Sequence, residues 1–162
     1  MAVINDSEIE QLCSRGILIS SGFNPKNVTP NGYDLTVDVI RIGSTDYSDE
    51  TEVPPLTHFL VSTREFMSIP PDICAQMWIR SSMARKGIIG SFGFIDAGFQ
   101  GNLTLSFYNS SSEKFSISPG SRIAQIVFLR MESPSDRDYG NRSGNYQGSR
   151  GIQVNGKNSG QS

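Results

Sequence analysis

The chain reads as short apolar–polar alternations interrupted by turns. Residues 7–15 carry Ile9, Leu12 and Cys13 at helical spacing. Ser7 and Glu10 stand where a capping box would close the first turn, and Gly16 supplies a stop. Residues 17–20 suit a short strand. Residues 22–32, rich in Asn, Pro and Gly, suit a loop. The period then becomes two. Leu35, Val37 and Val39 alternate with Thr36, Asp38 and Ile40; Leu103, Leu105 and Phe107 alternate with Thr104, Ser106 and Tyr108. Residues 59–62, 73–79 and 123–130 are further strand candidates. Pro54-Pro55, Pro70-Pro71, Gly98, Gly101 and Pro119-Gly120 separate them. Many short strands at this spacing predict a mostly β domain, a distorted barrel or sandwich. One more helical turn is expected at residues 82–86, with Ser82 as cap and Gly87 as stop.

Past Met131 the apolar supply ends: residues 133–162 contain no Leu, Phe or Met. Such a segment cannot build a core. It reads either as a disordered tail or as a mobile lid that orders on a ligand, and Tyr146-Gln147-Gly148 with Arg150 offers donors and a ring for the second. The organisation is therefore one domain, residues 1–132, and a tail.

Composition removes whole classes of function. With 14 basic and 16 acidic residues among 162, the chain has no cationic excess for nucleic acid. No apolar run approaches the ~20 residues of a bilayer-crossing helix. The N-terminus lacks a signal peptide's basic start and apolar run, so the expected location is cytoplasmic. One histidine, His58, and two distant cysteines, Cys13 and Cys74, support neither a zinc site nor a disulfide framework. Catalysis is left to carboxylates, hydroxyls, arginines and backbone.

Four clusters could carry it, each with a plain alternative. Arg80-Ser81-Ser82-Met83-Ala84-Arg85 is either a capped surface helix or a phosphate site of hydroxyls and cations. Asp96, before a glycine-flanked turn, is either a turn former or a carboxylate facing a water. Gln125, in an apolar strand after Pro119-Gly120-Ser121-Arg122, needs a partner from the backbone or from a ligand. Asp34, after Gly32-Tyr33, sits at a turn-to-strand junction.

Taken in order, Gly32-Tyr33-Asp34-Leu35, Arg80-Ser81-Ser82-Met83-Ala84-Arg85, Ile95-Asp96-Ala97-Gly98-Phe99-Gln100-Gly101, Pro119-Gly120-Ser121-Arg122-Ile123-Ala124-Gln125 and Tyr146-Gln147-Gly148 resemble the trimeric dUTPases and dCTP deaminases. The N-terminal helix and the stretch from Ser62-Thr63-Arg64-Glu65-Phe66 to Pro70-Pro71-Asp72 resemble the archaeal-type deaminase branch. The resemblance implies a jelly-roll-like subunit and a homotrimer with interfacial sites. It also implies a deoxyuridine or deoxycytidine triphosphate substrate carrying Mg2+ on its phosphates. Asp96 would activate the water that attacks the α-phosphorus. Arg80, Ser81, Ser82 and Gln125 would bind phosphate. Phe94, Ile95, Phe99 and Arg85 would hold the nucleoside, and Tyr146 and Gln147 would close over it. Asp34 would help to hold the hydrated metal.

The departures are informative. The deaminase branch carries a proton-shuttling glutamate where this chain has Ser106, and a lone hydroxyl is a poor base near neutral pH. Asn145 and Ser149 replace residues that are commonly lysine and glutamine in the branch, and the run from Gly87 to Gly93 is shorter. These features favour dUTP diphosphatase activity. The runner-up, a dCTP deaminase alone or combined with dUTPase activity, would need another carboxylate; Glu65 and Glu113 are nearest in sequence. A non-catalytic deoxynucleotide-binding protein is the third reading.

Overall fold

In the computed structural model, which describes residues 1–156, the alternating stretches become long strands and turn signals become their junctions. The elements run β1 (Ala2–Val3), α1 (Asp6–Ser14), β2 (Leu18–Ser21), a 3-10 turn (Pro25–Asn27), β3 (Val28–Thr29), β4 (Gly32–Ile42), β5 (Thr45–Tyr47), β6 (Thr51–Val53) and β7 (Thr57–Ser68). There follow β8 (Ile73–Ile79), α2 (Ser81–Ala84), β9 (Ile88–Ser91), β10 (Phe94–Ile95), β11 (Gln100–Asn109), β12 (Phe115–Ile117), β13 (Arg122–Arg130) and α3 (Tyr139–Arg142). Eleven strands form one antiparallel sheet whose main path is β10-β8-β13-β4-β7-β11-β9; β6 and β12 pair separately. The sheet curls around a core in which Tyr33, Phe59, Phe107 and Phe128 are fully buried, with Phe59 stacked on Phe107 at 5.3 Å. Among the described residues no helix is long and apolar enough to cross a membrane.

Leu103, Leu105 and Phe107 point into the core, as a half-buried strand requires. In β4 the alternation holds through Val37 and then changes parity. A bulge between Val37 and Ile40 inserts an extra residue, so Ile40 takes the core position expected for Val39. The freed N–H of Val39 donates to Ser62 Oγ at 3.2 Å. β7 is three times longer than the expected residues 59–62, because buried Thr63 and Glu65 hide its inward face from a hydrophobic count.

Both expected caps are displaced. α1 starts one residue earlier, capped by Asn5, whose Oδ1 accepts from Glu8 N at 3.0 Å. Asparagine caps as well as serine, and its position lets Asp6 N donate to Pro30 O. α2 is capped by the backbone of Arg80, so Ser82 lies inside the turn rather than at its head.

Candidate functional site

All the predicted residues but Arg85 fall into two groups, one at each end of β8. The first is built from β4, β13 and the exit of β8. Asp34 Oδ2 lies 3.0 Å from Arg80 Nε and 3.4 Å from Arg122 Nη1. Arg80 also donates from Nη1 to the carbonyl of Arg122 at 3.3 Å. Asp34 is buried, whereas the side chains of Arg80 and Arg122 are 26% and 46% exposed, so the guanidinium groups reach outward from a buried carboxylate. Gln125, on the neighbouring position to Asp34, donates to Thr29 Oγ1 at 2.9 Å. Its partner is thus a side-chain hydroxyl, neither of the two expected. Ser81 is exposed. The Ser82 hydroxyl is buried and unpartnered, the sort of group that a ligand satisfies. Arg85 lies apart, in a groove with Lys86 and Lys114.

The second group surrounds a cavity of about 490 Å³ lined by Phe94, Ile95, Asp96, Phe99, Tyr139 and Tyr146, among others. β10 pairs with β8 at Phe94–Gln76 and Ile95–Ala75, and the turn after Ile95 carries Asp96 out to the cavity. Asp96 is exposed, and among the described residues no donor bonds its carboxylate. Burial pushes the Cys74 thiol up, and the charge of Asp96 adds to that shift. Phe99 is buried, its ring edge-on to Tyr139 at 5.4 Å.

Residues 133–156 lie along this end. Tyr139 N donates to Ala97 O at 2.8 Å, Gln147 Nε2 to Gly98 O at 3.0 Å, and Gln100 N to Gln147 Oε1 at 3.1 Å. Gly148 N donates to Gln100 O, and Asn102 N to Ser149 O. Arg150 stacks on Phe66 at 4.7 Å. The attachment is polar, as the segment's composition demands, and it needs Gly98: a Cβ there would sit 2.4 Å from Asp138 Cβ, and its φ is +83°. Residues 157–162 of the expected tail lie outside the described residues.

Ser106 does not join the cavity, whose β11 lining is Asn102, Leu103 and Thr104. Its hydroxyl is 2.9 Å from His58 Nε2. Nor do the other carboxylates. Glu65 is fully buried and accepts from Thr36 N at 3.0 Å, Thr36 Oγ1 at 2.7 Å and Tyr33 Oη at 3.2 Å. Burial raises its pKa. Glu113 lies beside the separate groove of Arg85.

Arg122, Tyr139 and His58 are participants that sequence reasoning missed. Arg122 stands inside a quoted motif, and its pairing with Thr36 across β4 and β13 is what brings it to Asp34. Tyr139 had a signal, an aromatic ring in a segment otherwise without core residues. The donor set does not fit a resident metal: no group of three or more His, Cys, Asp or Glu side chains converges among the described residues, and Asp34 Oδ2 already faces two guanidinium groups.

Residues 40–131 match the model of the dCTP deaminase-like family. A dCTP deaminase of Thermococcus gammatolerans is 42% identical over 82% of this chain and 85% of its own. A dUMP-forming dCTP deaminase of Persephonella marina is 31% identical over 93% and 94%. Among solved structures, a deoxycytidine triphosphate deaminase from Agrobacterium tumefaciens superposes with a TM-score of 0.67 at 20% identity, over 78% of this chain and 47% of that one. A mutant dUTPase from phage phi11 of S. aureus, with a structural Mg(II) ion, superposes with a TM-score of 0.53 at 20% identity, over 71% and 85%. The fold is therefore that of dUTPases and dCTP deaminases, and the chain belongs to the dCTP deaminase-like family.

Proposed function

We propose that the chain is a dUTP diphosphatase that converts dUTP and water to dUMP and pyrophosphate. The observation that carries this reading is the contrast between Asp96 and Ser106. Asp96 is an open carboxylate on an aromatic-lined cavity. Ser106, at the position of the deaminase glutamate, is held by His58 about 7 Å along β11 from Thr104, the nearest lining residue on its face of the strand. Hydrolysis at the α-phosphorus needs a carboxylate that orients a water; attack on a cytosine ring needs a base at the ring.

In this mechanism Asp96 accepts a proton from the water as its oxygen bonds the α-phosphorus. The bond to the bridging oxygen of the β-phosphate breaks, pyrophosphate leaves, and the proton passes from Asp96 to solvent. Phe94, Ile95 and Phe99 hold the nucleoside, Arg80, Ser81, Ser82 and Gln125 the phosphates. Mg2+ arrives on the triphosphate as part of the substrate.

From Ala75 to Arg80 is about 17 Å along β8, too far for Asp96 and the arginines of one chain to serve adjacent phosphates. The proposal therefore includes a homotrimer in which one copy's cavity faces another's arginine end. Trp78 and Phe94, 56% and 53% exposed, are apolar surface for such contact. Residues 133–156 act as the lid, which excludes water on closing. Arg85, in its separate groove, would reach a nucleoside only across such an interface.

The test is a paired incubation with Mg2+ and either dUTP or dCTP, with products separated by ion exchange and ammonia measured. dUMP and pyrophosphate from dUTP with dCTP untouched is the expected result. The second reading, a dCTP deaminase with or without dUMP formation, is favoured by the names of the curated relatives. Ammonia released from dCTP would establish it and overturn the argument from Ser106.

A further inference from the structure

The resemblance gives Asp34 to a hydrated metal; the geometry points elsewhere. We propose that Asp34 is a positioning residue that aims Arg80 and Arg122 side by side, and that Arg122 is a second phosphate-binding arginine.

Asp34 Oδ2 is shared by both guanidinium groups, at 3.0 and 3.4 Å. A cation approaching that oxygen meets two positive charges first. The carboxylate is instead the counter-charge that lets two arginines stand together, since like charges at this spacing repel. Two arginines against one carboxylate leave a local charge of +1. Each guanidinium carries five N–H donors in a rigid fork, and Asp34 and the carbonyl of Arg122 occupy few of them, so most remain for a planar-faced anion such as a phosphate. The backbone supports the arrangement twice. A bulge in β13 between Arg122 and Ala124 re-aims Arg122, and Arg80 Nη1 is tied to the carbonyl of Arg122 at 3.3 Å. The unpartnered Ser82 hydroxyl is two residues further along the chain.

This inference rests on the phosphate-binding part of the proposed function, and its test does not need turnover. Inorganic tripolyphosphate is titrated calorimetrically, without metal, into the full chain and into Asp34→Asn, Arg122→Gln, Arg122→Lys and the Asp34→Asn/Arg122→Gln double variant. Each of Asp34→Asn and Arg122→Gln should weaken binding about tenfold or more, as loss of a charge-assisted contact does. The double variant should lose clearly less than the sum of the two single losses, because Asp34 acts partly through Arg122. Arg122→Lys, which keeps charge but loses the fork, should lie between Arg122→Gln and the unaltered chain. In the dUTP assay Asp34→Asn should raise KM and leave the Mg2+ concentration for half-maximal rate unchanged.

Single variants that bind tripolyphosphate as tightly as the unaltered chain, or losses that add in the double variant, overturn the proposal. So does an Asp34→Asn variant that binds normally without metal but needs tenfold more Mg2+, which would make Asp34 a metal group. Absence of tripolyphosphate binding by the unaltered chain also overturns it. If tripolyphosphate binds as described while dUTP is not hydrolysed, the diphosphatase reading falls and this one stands. Should Asp34→Asn fail to fold, Arg122→Gln against Arg122→Lys, on a half-exposed side chain, still decides whether Arg122 binds phosphate.

Discussion

The two ends of β8 treat a carboxylate in opposite ways. At the exit of the strand, Asp34 is buried and ion-paired, held by residues from non-adjacent stretches of a rigid sheet. At the entry, Asp96 is exposed and, among the described residues, without a donor, carried by a glycine turn and flanked by a mostly polar segment that meets the core through Tyr139. One aspartate is paired with two cations, and the other is bonded by no donor among the described residues. The difference lies in their surroundings, since neither residue type nor sequence position separates them. Glu65 adds a third case: a buried carboxylate satisfied only by neutral donors.

Replacing the free carboxylate should have the largest effect. On the proposed reaction, Asp96→Asn should lower kcat for dUTP by about 10²–10⁴-fold, the usual range for a lost general base, with KM little changed. Steady-state kinetics check this. A variant with undiminished kcat would remove Asp96 from the chemistry and erase the contrast with Asp34.

Glu65 tests the buried side of the comparison through stability. Glu65→Ala leaves one N–H and two hydroxyls without an acceptor and opens a cavity, so about 3–5 kcal/mol of destabilisation is expected in urea melts. pH adds a signature. Burial raises the folded-state pKa of Glu65 above its ordinary 4.5, so the folded protein holds this proton more tightly than the unfolded chain. The stability it contributes is complete below the unfolded value and is lost as pH rises through the folded one. Glu65→Gln should remove that declining component; parallel pH profiles for the two proteins would refute it. Tyr33, beside it, is pushed up to about 12 by burial first and by Glu65 second, and stays neutral throughout.

The segment proposed as a lid should respond more gently. Gln147 ties the segment to Gly98 O and Gln100 N with both ends of its amide. Gln147→Ala removes two hydrogen bonds, about 1–3 kcal/mol together. If closure is coupled to substrate, the loss should enter KM for dUTP as a rise of about 5- to 150-fold. Stability in urea should barely move, because no core residue is touched. A changed melt with an unchanged KM would make the segment structural trim rather than a lid.

Much of this fold is legible from alternation alone. β8, β11 and β13 fall within a few residues of their expected bounds, because each puts apolar side chains on one face without exception long enough to count. β7 is legible only in part, since Thr63 and Glu65 fill inward positions with polar groups: Thr63 Oγ1 donates to Glu65 O and accepts from Leu103 N, and the partners of Glu65, Tyr33 and Thr36, lie some thirty residues away. The parity change in β4 hides for a related reason: a bulge has no residue signature when its free N–H is taken by a distant hydroxyl, that of Ser62. The candidate site is legible as ordered motifs, but its division between the two ends of β8 is not. That division depends on register, which sets Arg122 opposite Thr36 and Ile95 opposite Ala75.

The smallest expected effect separates scaffold from site at the arginine end. Asn5 caps α1, and the next residue bonds Pro30, beside the Thr29 that holds Gln125. Asn5→Ala should cost about 1 kcal/mol, the usual value of an N-cap, whereas Ser7→Ala should change stability by less than about 0.5 kcal/mol. The reverse order would restore Ser7 as the cap. Because no residue of α1 bonds Asp34, Arg80 or Arg122 among the described residues, Asn5→Ala should leave tripolyphosphate binding unaltered while lowering the urea midpoint. A matching loss of binding would mean that Arg80 and Arg122 are held by the general stability of this end. Retained binding leaves Asp34 as the group that sets them.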